Sequence, residues 1–153
     1  MDEGGTRGWH PFRLEATGEY DPRPTGQGVL RAIVPLRVLG PRAVRVPSRA
    51  MIDTGSPVTI LNRELAEAAG IYVDGLDSGP NVTLRGLRNR PTRSAMVEME
   101  LNGVPHRWTG QICIPEDDPP MRFSILGFEG FLDNWSLMIH ASARRFGVRY
   151  TGP

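Results

Sequence analysis

The segment AMIDTGSPVTIL, residues 50–61, organises the rest of this chain. An apolar run leads into one carboxylate, Asp53, and a Thr-Gly-Ser turn follows before a second apolar run continues. Glycine suits a backbone that bends sharply or lies close to another chain, and hydroxyls on both sides of Gly55 can hold the carboxylate and the turn by hydrogen bonds. The pattern therefore predicts that Asp53 lies at the end of a strand, with hydrophobic residues on both sides.

Length and composition favour one small domain built mainly from strands. The chain has 153 residues, of which 39% are hydrophobic, and it contains 18 glycines and 14 prolines. Many turn formers between short apolar runs are typical of an all-β domain. Because the net charge is only +1, composition gives no reason to expect nucleic acid as a partner.

Cysteine use and hydropathy bear on the compartment. The single cysteine, Cys113, excludes an internal disulfide and favours a reducing compartment. No apolar stretch approaches the roughly 18 residues of a membrane span, and the N-terminus has no apolar signal core. We therefore expect a cytoplasmic protein with no membrane partner.

The N-terminal half divides into an arm and the start of a domain. Residues 1–28 are rich in Gly, Pro and charge and predict a partly flexible arm with one short strand near residues 12–15, although such an arm could also pair with a partner chain. The domain would then comprise residues 29–153. Within it, the apolar runs at residues 29–39 and 43–52 predict a hairpin that delivers Asp53 at its far end.

Local signals place the remaining elements. Asn62 can cap a short helix over residues 63–69, which Gly70 ends. Residues 82–84 and 95–101 are predicted strands, separated by a polar loop. Asn102-Gly103 predicts a two-residue hairpin turn, after which a strand returns over residues 104–114. A second short helix is expected at about residues 129–134.

Three features, in this order, resemble the retropepsin-like aspartic proteases. The first is Asp53-Thr54-Gly55-Ser56 after an apolar strand, and the second is the loop at residues 85–93, where that family carries its flap. The third is Ile125-Leu126-Gly127, which matches the family's hydrophobic-hydrophobic-Gly motif before a short helix. The resemblance extends over residues 29–139, and the combination at single-lobe spacing is more specific than Asp-Thr-Gly alone.

The resemblance implies an all-β, retropepsin-like closed barrel, a single lobe with one or two short helices, that acts as a two-fold homodimer. The axis would pass between two copies of Asp53, whose carboxylates share one proton and activate a water. Thr54 would hydrogen-bond across the interface, Gly55 would allow close approach, and Ser56 could hydrogen-bond the carboxylate. The substrate would be a polypeptide, and neither a cofactor nor a metal is implied.

The predicted flap departs from the family's pattern. Family flap tips are commonly Gly-rich and apolar, so that they exclude water on closing. The candidate flap and substrate-binding residues here are Arg85, Gly86, Leu87, Arg88, Asn89 and Arg90. With Arg93, the loop carries four arginines, which could be ordinary solvated charge, could select acidic residues in the substrate, or could close on a partner.

Other residues that could carry chemistry are set aside. Asp77-Ser78-Gly79 matches, on letters alone, the second signature of two-lobed aspartic proteases, but no apolar strand leads into it and it follows Asp53 too closely for a second lobe. We interpret it as a turn. The histidines at positions 10, 106 and 140 are scattered, so no metal site is predicted. Cys113, Trp108 and Trp135 are predicted to be packing residues.

The sequence therefore predicts an aspartic endopeptidase that acts as a homodimer through two copies of Asp53. An alternative is a non-cleaving retropepsin-like module that binds peptides or assembles partners, which the atypical flap favours. The intact turn argues against it, because a buried carboxylate pair costs stability and is hard to explain without chemistry. A third hypothesis is a self-processing enzyme whose substrate is its own arm, residues 1–28.

Overall fold

The computed structural model describes residues 8–18, 28–41, 45–84, 86–117 and 121–152. Strands dominate this part of the chain. The strands are β1 His10–Arg13, β2 Glu15–Thr17, β3 Val29–Arg31, β4 Ile33–Leu39, β5 Arg45–Ile52, β6 Thr59–Ile60, β7 Asp77–Ser78, β8 Val82–Leu84, β9 Leu87–Arg90, β10 Thr92–Leu101, β11 Arg107–Pro115, β12 Ser124–Leu126, β13 Trp135–His140 and β14 Arg145–Tyr150. The helices are α1 Arg63–Ala68 and two 3-10 turns, Val73–Gly75 and Ala141–Ala143.

Six strands close into a barrel in the order β11-β6-β12-β5-β4-β10, because β10 also pairs with β11. The antiparallel hairpins β4–β5 and β10–β11 supply its longest strands, with Ile33 opposite Met51 and Glu98 opposite Thr109. Strand β12 runs parallel to β5 and antiparallel to β6. The closed all-β barrel and the hairpin leading to Asp53 were both predicted, and both predictions are confirmed.

The barrel interior is filled by alternating apolar side chains. In β4, Val34, Leu36 and Val38 are fully buried while the residues between them are half-buried, as the two-residue period of a strand requires. Trp108 and Trp135 extend the core, their rings 5.3 Å apart and inclined at 75°. Both tryptophans are buried, as predicted, and Trp108 Nε1 donates to Gly130 O at 2.7 Å.

Helix α1 forms where it was predicted and buries Leu65 and Ala66. It ends at Gly70, and the next amide, Ile71 N, donates back to Ala66 O at 3.0 Å. The predicted cap is wrong, because the Asn62 side chain makes no cap hydrogen bond and Nδ2 instead donates to Met121 O at 2.9 Å. Within the described residues, no helix is long and apolar enough to cross a membrane.

The second helix, expected at residues 129–134, does not form; the segment is a series of turns. Gly130 adopts φ +94, and a Cβ there would stand 2.3 Å from Gln111 O. Glycine is needed here because it has no Cβ to clash with β11 and because it tolerates a left-handed backbone. One residue in that conformation interrupts a helix. The turn ends with Trp135 N donating to Phe131 O at 3.0 Å.

The predicted strand at residues 82–84 forms as β8, and the predicted polar loop after it contains β9; together they make a further hairpin, with Leu84 opposite Leu87. We call it the flap hairpin. Strand β10 begins at Thr92, earlier than expected, and Arg85 lies outside the described residues. The predicted turn at Asp77-Ser78-Gly79 is wrong, because β7 is a short edge strand paired with β10.

Two further expectations need adjustment. The turn at Asn102-Gly103 is present, but β11 begins at Arg107 rather than at the predicted residue 104. Pro105 lies before it and has no amide hydrogen to donate to a strand pairing. Near the N-terminus two short strands form rather than one: β1 pairs with β14, and β2 pairs with β3. The division at residues 28 and 29 stays a prediction, and the residues at 1–7 and 19–27 lie outside the described part of the chain.

Candidate active site

Asp53 directly follows β5, which is one of the strands that form the barrel wall. Asp53 N donates to Leu126 O at 2.9 Å, so the parallel pairing of β5 with β12 continues one residue past the strand. Met51 and Ile52 before it are buried, whereas Asp53 itself is half-buried. A carboxylate is thus presented at the rim of an apolar wall, where it meets solvent.

The turn after Asp53 fixes the carboxylate through the backbone. Gly55 N donates to Asp53 Oδ1 at 2.8 Å, and Ser56 N donates to Asp53 O at 3.1 Å. The expected hydrogen bond from the Ser56 hydroxyl to the carboxylate is absent, because Ser56 Oγ donates to Val58 O at 2.7 Å. Thr54 and Gly55 are exposed at the apex.

The Ile125-Leu126-Gly127 segment packs directly against this turn. Gly127 N donates to the Thr59 hydroxyl at 3.1 Å, and the next amide, Phe128 N, donates to Ser56 O at 2.9 Å. A Cβ at Gly127 would stand 2.1 Å from Val58 O, so only glycine allows the two segments to lie this close. Two motifs that are 72 residues apart, taking 127 less 55, therefore form one unit.

A cavity of about 360 Å³ opens beside the carboxylate. Among the described residues, Asp53 is the one carboxylate in its lining, and much of the rest is apolar. The lining residues are Asp53, Gly55, Ser56, Pro57, Val58, Ile60, Pro80, Asn81, Val82, Thr83 and Ile125. Ile60, Val82, Leu84 and Ile125 form a buried cluster that joins the flap hairpin to the barrel.

The described residues of the predicted flap lie on or beside β9 and do not line the cavity. Gly86, Leu87, Arg88 and Asn89 are exposed and lie outside the lining, and Arg90 is half-buried against other partners. The cavity is lined instead by residues 80–83, which precede the predicted loop. The alternation of Val82 and Leu84 around Thr83 was the available signal, since it makes β8 the strand with one apolar face.

A second recess of about 200 Å³ lies on the other side of Asp53 and also includes Thr54. It is lined by side chains from several strands: Leu14, Leu30, Arg31, Ala32, Met51, Ile52, Leu137 and Ile139. Ile139 is 53% exposed, and β13, which carries it, is an edge strand of its sheet. The Asp53 turn thus borders two recesses, the cavity beside the flap hairpin and this second one.

Other reactive groups lie away from this turn. His106 stacks on Tyr150 with ring centroids 5.2 Å apart, and burial raises the pKa of the Cys113 thiol. No group of three His, Cys, Asp or Glu side chains with metal-binding geometry occurs in the described part of the chain. Asp77 is exposed on β7 and does not line the cavity.

A closed single-lobe barrel whose Asp-Thr-Gly-Ser turn packs on a hydrophobic-hydrophobic-Gly segment defines the retropepsin-like class of aspartic proteases. The model of the aspartyl protease family matches residues 34–129, well over half of the chain, and this protein belongs to that family.

A solved structure supports the fold. The chain is similar to a retropepsin-like aspartic protease from Rickettsia conorii, with a TM-score of 0.60 and 14% identity over 93% of this chain and 92% of that one. It is also similar to the EIAV protease complexed with an inhibitor, with a TM-score of 0.48 and 19% identity over 64% of this chain and 82% of that one. No curated protein matches the sequence.

Proposed function

We propose that this protein is an aspartic endopeptidase that acts as a homodimer and hydrolyses peptide bonds with a water held between two copies of Asp53. The observation that carries the proposal is the position of Asp53, the one carboxylate in the lining of an otherwise largely apolar cavity. A single carboxylate cannot both take a proton from water and donate one to the substrate carbonyl at the same moment. A second copy of the chain supplies the second group.

Exposed features around the turn support a second copy as the partner. Thr54 and Gly55 are exposed, and the recess beside them includes the half-exposed Ile139 of edge strand β13. An isologous contact centred on this surface brings each residue close to its own copy. The two Asp53 side chains would then meet at the axis, with Thr54 hydrogen-bonding across it and Gly55 permitting the approach.

In the proposed reaction, the ionised carboxylate takes a proton from the water while the protonated one donates its proton to the carbonyl oxygen. The water oxygen bonds to the carbonyl carbon and forms a tetrahedral diol. Its collapse breaks the carbon–nitrogen bond: the amine leaves with a proton from one carboxyl group, and a diol hydroxyl returns its proton to the other, which restores the dyad and leaves a carboxylic acid. The hydrogen bond from Gly55 N to Asp53 Oδ1, at 2.8 Å, fixes the plane of the carboxylate for these transfers.

The substrate is proposed to be an extended polypeptide lying between the barrel and the flap hairpin. Val58, Ile60, Val82 and Ile125 give the cavity an apolar floor and roof that suit an apolar side chain of the substrate. Residues 29–153 are proposed as the protease domain, with the preceding arm outside it.

The test is cleavage of a diverse peptide pool from mildly acidic to neutral pH. Asp53→Asn should lower the rate at least about 1,000-fold, since it removes the group that moves the proton. Asp77→Asn is the matched control, because Asp77 lies in the similar sequence Asp-Ser-Gly but is exposed and outside the cavity lining. Full activity of Asp53→Asn would overturn the proposal.

A second candidate is a non-cleaving peptide-binding module, favoured by the exposed, charged β9 strand. It predicts that wild type and Asp53→Asn bind extended peptides equally and that neither yields products. Light scattering on the same samples would separate the candidates further, since a monomer at micromolar concentration favours the binding module.

A further inference from the structure

The flap hairpin is attached unequally through its two strands. In β8, Val82 and Leu84 are buried against Ile60 and Ile125. In β9, the side chains from Leu87 to Asn89 are exposed, and only Arg90 is partly covered. Within the described residues, β8 and β9 pair with each other and with no further strand. Strand β9 therefore depends on its C-terminal end for contact with the rest of the protein.

That end is fastened to the segment that follows β11. Arg90 Nη2 donates to Asp117 Oδ2, and Arg93 Nε lies 2.9 Å from Glu116 Oε1. Between the two arginines, Pro91 O accepts a hydrogen bond from Glu116 N at 3.0 Å. Proline fixes its own φ and restricts the residue before it, so the chain has little freedom to rotate here.

The segment after β11 is itself anchored to helix α1. Arg63 Nη1 donates to Glu116 O, and the same guanidinium contacts Glu67 at 2.8 Å and Asp74 at 3.1 Å. The Arg63 side chain is only 17% exposed, so these bonds are shielded from solvent on one side. A continuous set of contacts therefore runs from α1 through Glu116 and Asp117 to the flap.

From this geometry we propose that Arg90 and Asp117 are positioning residues that hold the flap hairpin over the Asp53 cavity. The inference rests on the proposed protease function. Val82 and Thr83 of β8 line the cavity, and β8 is paired with β9, so the position of β9 sets the position of the lining. Arg90 and Arg93 already have carboxylate partners, which leaves them poorly placed to select acidic substrates.

The first test is hydrogen–deuterium exchange of the full chain, followed at residues 82–84 and 87–90. Asp117→Asn and Arg90→Asp should each speed exchange there about threefold, the effect of losing one partly exposed ion pair. The reversed pair, Arg90→Asp with Asp117→Arg, should return exchange towards the wild-type rate. Arg107→Asp is the matched control, since it breaks contacts with Glu98 and Glu100 at the other end of the β10–β11 hairpin and should leave flap exchange unchanged.

The second test is the kinetics of the same variants on a cleaved peptide. A flap that is less often in place reduces the fraction of enzyme ready to bind, so KM should rise, by at most about threefold, while kcat stays nearly constant. The reversed pair should recover KM, which a merely structural role would not predict.

Unchanged exchange in both single variants, or faster exchange that the reversed pair fails to recover, would overturn the positioning role. Exchange requires no turnover, and Asp117→Asn is mild enough to keep the fold if Arg90→Asp does not. A response in exchange without any cleavage would leave the positioning role standing and reject the protease, so the two failures are distinguishable.

Discussion

The barrel and the flap hairpin are stabilised in different ways. The barrel closes on itself and buries Leu36 and Leu126 completely, so its strands are held by packing on every side. The flap hairpin has one strand on the apolar cluster and one that carries Leu87, 52% exposed, and depends on ion pairs at its base. The difference suits the proposed function, in which a firmly packed barrel supports Asp53 and a less firmly held hairpin covers an extended polypeptide.

The largest expected effect tests this difference by replacing one leucine with alanine in each region. Leu126→Ala should lower the free energy of unfolding by about 4 kcal/mol, because it leaves a cavity in a closed core. Leu87→Ala should change it by no more than about 0.5 kcal/mol, since the side chain is already in water. Urea unfolding of both variants provides the measurement, and equal losses would contradict the distinction.

A smaller effect is expected at the junction of the two motifs. The buried Thr59 hydroxyl accepts a hydrogen bond from the Gly127 amide at 3.1 Å. Thr59→Val should cost about 2 kcal/mol of unfolding free energy, because it leaves a buried donor without a partner. Thr109→Val, at an exposed position on β11, is the control and should be nearly neutral. If both variants unfold alike, the hydrogen bond does not join the motifs.

The smallest effect concerns whether water reaches the Cys113 thiol in the barrel wall. Burial raises the pKa of Cys113 above its ordinary value of 9.0, so the folded state keeps the neutral thiol when the unfolded state has ionised. The stability associated with this thiol is fully present below pH 9 and is lost as pH rises through the folded pKa. Every one of the 18 basic residues is arginine, so no lysine titrates in this range.

The measurement is the free energy of unfolding of wild type and Cys113→Ala as the pH is raised from 8 through the folded pKa of the thiol. The wild type should show an additional decline that Cys113→Ala lacks, whatever their difference at pH 8. Parallel curves would mean that the thiol is solvated in the folded protein, and would place water inside the barrel wall.

Much of the support for Asp53 could be predicted from sequence because its signals are local. A few neighbouring residues are enough to predict the conformation of the apolar strand, the Thr-Gly-Ser turn and the Ile125-Leu126-Gly127 segment. Helix α1 is located by its composition and by Gly70. The resemblance to a known family then supplied the closed barrel, which hydrophobic periodicity alone does not specify.

The failures share a physical cause, which is dependence on a distant partner. Asn62 has the properties of a cap, yet Met121 O takes its amide, and the expected helix after Gly127 is interrupted where Gly130 meets β11. The exception is Ser56, whose hydroxyl bonds Val58 O, two residues along the chain, instead of the carboxylate. The base of the flap hairpin depends on Arg90 meeting Asp117, 27 positions away, and no local pattern encodes that pairing.

The central claim, that one active site needs two copies of Asp53, is tested most directly by mixing chains. Wild type and Asp53→Asn are co-refolded in equal amounts, and peptide cleavage is measured per total protein, relative to wild type alone, alongside a mixture with Asp77→Asn. If both carboxylates are required, only dimers of two wild-type chains cut, and half times half leaves about one quarter of the full activity. Activity of about one half would mean that each chain works alone, and would contradict the account.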